Sequence, residues 1–157
     1  MSASDTFAVD FACTTCGKTI AALTSPSHCP QCHVAAPDHG FPTTDAVKIA
    51  AQNDRFRAGL LAGMDEDLRG NVVVTAAVRN MGRDFETAAY LAVARDTDFT
   101  QDNDPYGDHG FGVVTVNGTK LFWKIDLYDD ELVYGSPAPA DPSVTRRILT
   151  ILLPSDY

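Results

Sequence analysis

The sequence predicts an α+β fold, and three observations carry that prediction. Asn117-Gly118 stands between two apolar runs, the strongest local hairpin signal because both turn residues must accept positive φ. Residues 44–61 repeat apolar side chains at helical spacing, whereas Asn71–Val78 is β-branched and apolar on both faces. Helices and strands therefore alternate while the best strand pair is antiparallel, which favours about three helices packed on an antiparallel sheet around a central hairpin at 109–128.

Bulk properties narrow the function classes. The 157 residues fit one ordinary domain plus a small appendage, and 45% are hydrophobic. The formal net charge is −9, with a sequence pI near 4.6. The acids are spread along the chain, so they read as a solvated surface. A general nucleic-acid binder needs a basic footprint, which is lacking; a sharper reading is a surface that competes with DNA for a basic partner. The first ten residues have no basic stretch followed by an apolar one, and nothing approaches the ~20 apolar residues of a membrane helix. A cytoplasmic protein is expected.

Residues 1–36 hold all four cysteines, as Cys13-Thr-Thr-Cys16 and Cys29-Pro-Gln-Cys32. In a reducing compartment this pattern reads as metal binding. Each CxxC forms a tight knuckle aiming two thiolates at one point, and two knuckles supply the tetrahedral sulfur set of a structural zinc. Cys13, Cys16, Cys29 and Cys32 are the predicted ligands of one Zn²⁺. The segment resembles a zinc ribbon or the similar rubredoxin knuckles, and iron is the alternative that shares this ligand set. His28 and His33 flank the second knuckle and are expected to be surface residues or hydrogen-bond donors to the ligand sulfurs, with replacement of a cysteine as ligand the minor alternative. Four closed ligands leave no open position for catalysis, and so short a segment takes most of its folding energy from the metal.

Pro37, Gly40 and Pro42 mark a linker at 37–43, before an α+β domain at 44–157. Thr43 or Thr44 caps a helix to about Leu61, whose apolar face is Ala46, Ile49, Ala50, Phe56 and Leu60. Asn53 falls on that face and must find hydrogen-bond partners; Asp54, Arg55 and Arg57 are expected near solvent. Asp65–Gly70 is a polar turn. Asn71–Val78 reads as a central strand. Asp84 is expected to cap a helix over 85–95, and 97–108 is a polar loop. In the hairpin the turn fixes the register: Val116 opposite Thr119, Val114 opposite Leu121, Gly112 opposite Trp123. Gly112 leaves room for the indole, and His109 falls opposite Asp126. Leu132–Tyr134 reads as a short strand. Asp141-Pro142 then suits a helix start, so 142–153 reads as a helix, with a strand as the alternative given its β-branched residues.

Five stretches together resemble an uncharacterised bacterial family known only as a domain of unknown function. They are Asn53–Arg57, Val72–Val78, Asn103–Gly112, Phe122–Asp129 and the run from Asp141 to Tyr157. The resemblance covers roughly residues 43–157. A CxxC…CxxC segment is familiar in such proteins, and the resemblance implies no known reaction. The family pattern carries an acid where this chain has Gly110.

Three functions are weighed. The leading one is a non-catalytic zinc-binding accessory protein acting through protein–protein contact, its sharper form an acidic inhibitor of a nucleic-acid-acting enzyme. The second is a metal-dependent hydrolase or nuclease built on Asp104, His109 and Asp126, which predicts a cleft and a second metal there. Against it, the loop fails the EF-hand spacing, no recognisable Ser or Cys nucleophile exists, and Asp, Asn, Pro and Gly in such a loop ordinarily form turns. The third is a nucleic-acid binder through the ribbon, whose basic candidates are Lys18, Lys120, Lys124, Arg146 and Arg147.

Overall fold

The structure is a computed structural model and describes residues 7–157. Strands β1 (Val9–Ala12) and β2 (Thr19–Ala22) form an antiparallel hairpin with Phe11 opposite Ile20. The first CxxC forms its turn. The second follows β2, and Phe11, Cys13, Ile20, Cys29 and Phe41 bury one another in a small core. The 37–43 segment returns to β1: Phe11 bridges Thr43, and Ala12 N–H donates to Pro42 O at 2.8 Å.

Helix α1 (Thr44–Ala62) starts as expected, with Thr43 Oγ1 accepting from Ala46 N–H at 3.0 Å. Its buried face includes Ala46, Ala50, Asn53, Phe56 and Arg57. Arg57 therefore departs from the solvent-facing expectation. At about 100° per residue it sits only about 40° round from Asn53, well within the buried arc.

The large sheet runs β3-β6-β5-β4, where β3 is Gly70–Val74, β4 Phe111–Val116, β5 Thr119–Tyr128 and β6 Arg146–Leu152. The β4–β5 and β5–β6 pairs are antiparallel, while β3 lies parallel to β6, so the sheet is mixed. The fold is α+β as predicted. The hairpin adopts the predicted register, Gly112 opposite Trp123 included, and Asn117 and Gly118 both take positive φ (50° and 81°). A Cβ on Gly112 would collide with the Trp123 indole and the Asp96 carboxylate. Leu121, Trp123, Leu149 and Ile151 are fully buried against Phe56 of α1 and against Ala89 and Val93 of α3 (Arg83–Arg95).

Four expectations are corrected. The apolar run at 71–78 is not one central strand: β3 ends at Val74 on the sheet's edge, and Thr75 caps a short helix α2 (Ala76–Arg79). Thr75 Oγ1 accepts from Val78 N–H, a local bond that competes with continuing the ladder. Asp84 does not cap α3; Gly82 holds that position and Asp84 lies in the first turn, beside the positive helix end. Residues 132–134 form a turn, with Leu132 at φ 59° and Asp129 Oδ1 accepting from Val133 N–H. Residues 142–153 are mainly strand: Asp141 caps only a single 3-10 turn, Pro142–Val144, before β6. Along β6, Arg147, Leu149 and Ile151 are buried at alternate positions, and the period of two prevails over the helical reading. No described helix is long and apolar enough to cross a membrane.

Candidate metal centre and the cleft beside it

The two knuckles are copies of one backbone design. In each, the first cysteine's N–H donates to a carbonyl five residues on: Cys13 to Lys18 O and Cys29 to Val34 O, both at 2.9 Å. In each, the residue after the second cysteine has left-handed φ, Gly17 at 74° and His33 at 64°. That turn exposes N–H groups to sulfur. Cys13 Sγ accepts from Thr15 and Cys16 N–H at 3.4 and 3.5 Å, and Cys29 Sγ from Gln31 and Cys32 N–H at the same distances.

The four ligand sulfurs lie within 4.8 Å of one another. Cys13 Sγ–Cys32 Sγ is 3.6 Å and Cys16 Sγ–Cys29 Sγ is 3.7 Å. Sulfurs about 2.3 Å from a tetrahedral zinc would be separated by about 3.8 Å, whereas a disulfide needs about 2.05 Å. The quartet thus has the dimensions of a metal cage and can bind a metal ion. The Cys16 and Thr15 amides, acting against burial, bring the Cys13 thiol down to about 6. Cys29 is lowered likewise, chiefly by the Cys32 N–H. Against the Lys18 and Val34 N–H groups, burial and the neighbouring thiols raise Cys16, to about 11, and Cys32, so in each knuckle the first cysteine is the one that favours the thiolate a metal takes.

The second candidate region is rearranged from its sequence expectation. His109 does not face Asp126. Strand β4 starts only at Phe111, and His109, at φ 54°, turns its ring towards α1. There Nδ1 lies 2.8 and 3.0 Å from the two Asp54 carboxylate oxygens. A carboxylate only accepts, so Nδ1 carries the proton. The imidazole stacks on Phe99, with centroids 3.8 Å apart and planes 5° from parallel. Asp126 instead lies on β5, 3.0 Å from Lys124 Nζ. Asp104 does approach: Oδ1 accepts from His109 N–H at 3.1 Å, and Oδ2 is 3.7 Å from Nε2. Among the described residues the cysteines are the group of three or more metal-binding side chains that converge; Asp104, His109 and Asp126 do not.

Asp54, Arg57, Phe99 and Asp96 belong to this region and were not singled out from the sequence. Arg57 donates to Asp54 at 2.6 Å and to the Val93 and Asp96 carbonyls, both at 2.8 Å. Its guanidinium lies 4.6 Å from the Trp123 ring centroid and 5.2 Å from that of Phe99. Trp123 Nε1 donates to Asp96 Oδ2 at 2.8 Å. Asn53 ties the loop to the sheet: Nδ2 donates to Asp108 O at 3.0 Å, while Oδ1 accepts from Arg147 Nε at 2.9 Å. Arg147 is wholly buried and is lost to any nucleic-acid surface. The helical spacing of Asn53 and Arg57 was the available signal; nothing local marked Asp54 as the partner of a histidine 55 residues on.

These contacts set the electrostatics. Against burial, His109 and Arg57 hold the Asp54 carboxyl below its ordinary range. The Asp54 hydrogen bond raises the His109 imidazole, and burial raises Asp104. His109 and Asp104 line a cleft of about 430 Å³, walled on one side by Phe11, Phe41 and Pro42 and on the other by Phe99, Pro105 and Tyr106. The cysteine unit and the 97–109 loop therefore share one cavity.

A family described as protein of unknown function (DUF3768) matches residues 74–156, just over half of the chain. No curated protein matches the chain, and no solved structure does.

Proposed function

The chain belongs to this family of unknown function, and from that premise we propose that it is a zinc-stabilised, non-catalytic accessory protein that acts by binding another protein. The single supporting observation is the closed sulfur quartet beside an open cleft. Cys13, Cys16, Cys29 and Cys32 would hold one Zn²⁺ with no position left for substrate. The metal then serves to keep Phe11, Phe41 and Pro42 in place as one wall of the cleft. Thiolates that must remain reduced fit a cytoplasmic setting, and the net charge of −9 suits a basic partner. The sharper form of the proposal is an inhibitor of a nucleic-acid-acting enzyme.

Affinity purification from the native host tests it. The expected result is a partner that co-purifies in fixed ratio and is lost when a chelator removes zinc. A chain that stays alone while turning over a substrate would overturn the proposal.

One observation favours a hydrolytic reading: His109 is oriented by Asp54 and presents Nε2 towards Asp104 within a cleft. That reading requires ester or phosphodiester hydrolysis that His109→Ala abolishes while the fold is kept.

A further inference from the structure

We infer that strand β4 is a docking edge for a second copy of this chain, the two β4 strands pairing antiparallel across a two-fold axis at Val113. The inference stands apart from the interaction reading above.

The backbone supplies the first observation. β4 is an edge of the large sheet, with β5 on its inner side. Ile125 N–H donates to Gly110 O at 2.8 Å, which fixes the alternation of the ladder. Gly112, Val114 and Val116 therefore bond to β5, while Phe111, Val113 and Thr115 direct N–H and C=O outward. Among the described residues these outward groups have no hydrogen-bond partner. Thr115 is exposed, and Phe111 and Val113 are half-buried.

Proteins guard such edges with a lysine, a proline or a bulge. β4 has none of them: Phe111-Gly-Val-Val-Thr-Val pairs residue for residue with β5. Residues 110–119 hold no acidic or basic side chain, the longest such run in residues 44–157. The opposite edge, β3, is shorter and is bounded by Arg69 and by α2.

Symmetry selects the occupant. With Val113 opposite its own copy, Phe111 meets the second copy's Thr115, and every outward group finds a partner. Such a pairing is isologous, so it closes on two chains and does not propagate. The flanking charges permit it. Lys120 and Lys124 lie on β5 opposite Thr115 and Phe111, which puts the backbones of facing lysines three strand spacings apart. That is about 14 Å, beyond the screening length of about 8 Å at physiological salt. The two four-stranded sheets then become one.

The test uses the full zinc-loaded chain, followed by sedimentation at rising concentration and by amide hydrogen exchange. The expected result is a reversible monomer–dimer equilibrium that tightens as salt screens the net charge of −9 on each copy. The Phe111, Val113 and Thr115 amides should exchange freely in dilute solution and slow by roughly tenfold or more as the dimer fills, while Gly112, Val114 and Val116 stay protected throughout. Thr115→Lys puts a charge on an exposed edge position and should weaken dimerisation by roughly tenfold or more at unchanged metal content. The wild-type exchange pattern keeps the test decisive should that variant fail to fold. A chain that stays monomeric at every concentration overturns the inference. So does a dimer that folded Thr115→Lys retains, or outward amides that are already protected in the monomer or still exchange freely in the dimer.

Discussion

Replacing Asn53 with alanine probes the link between the sheet and the candidate cleft. Asn53 is 1% exposed and uses both ends of its amide. Oδ1 accepts from Arg147 Nε at 2.9 Å, and Nδ2 donates to Asp108 O at 3.0 Å and more weakly to His109 O at 3.4 Å. Arg147 already has a buried Nη1 without a partner, and burial lowers its guanidinium to about 10. Alanine would leave Gln52 as its remaining side-chain acceptor. A hydrogen bond to a charged group contributes about 1.5–3 kcal/mol and a neutral one about 0.5–1.5 kcal/mol, so Asn53→Ala should cost about 2–4 kcal/mol. For a chain of this length that is a fall of about 10 °C in Tm. Urea denaturation at fixed zinc measures the stability loss, and amide shifts of Asp108, His109 and Gly110 report whether the loop is released. Asn53→Asp keeps the Arg147 bond but cannot donate to the loop, so it should disturb those amides more than the stability. A loss below about 1 kcal/mol with unmoved amides would refute the reasoning.

Three other outcomes follow from the same contacts. The raised His109 contributes stability that is full below its ordinary 6.5 and fades as pH climbs through its folded value, while the lowered Asp54 contributes above 3.8 and fails as pH drops through its own. The melting temperature should therefore fall as pH rises above 6.5 in the wild type and stay flatter in His109→Gln; parallel curves would contradict this. Asp126→Asn should change stability by less than about 0.5 kcal/mol, since its ion pair with Lys124 is half exposed; a loss above about 1.5 kcal/mol by denaturant titration would restore the discarded His109 pairing. Trp123→Phe should cost about 2–4 kcal/mol, because it leaves the buried Asp96 Oδ2 without its indole donor and opens a cavity; a stable variant with an unchanged melting curve would oppose that.

What was legible followed from chemistry that acts over a few residues. The two CxxC knuckles, the Thr43 cap and the Asn117-Gly118 turn each depend on neighbours in the chain, and each formed as expected. The misreadings arose where a distant element decided. Residues 146–152 became a strand because β3 and β5 offer edges on both sides, which the Asp-Pro cap signal could not convey. His109 lost its expected partner because one left-handed residue ended the strand alternation before the ring reached Asp126. Arg57 was misplaced for a different reason. Charge suggested solvent, whereas helical geometry and the nearby Trp123, Asp54 and Asp96 hold it inside.

The measurement closest to the centre of this account is X-ray absorption at the zinc edge on the chain purified under reducing conditions. One zinc per chain with four sulfurs at about 2.3 Å is the predicted result. A metal-free chain with disulfides, or a first shell containing nitrogen or oxygen, would contradict the proposed role of Cys13, Cys16, Cys29 and Cys32 as a closed structural cage beside the cleft.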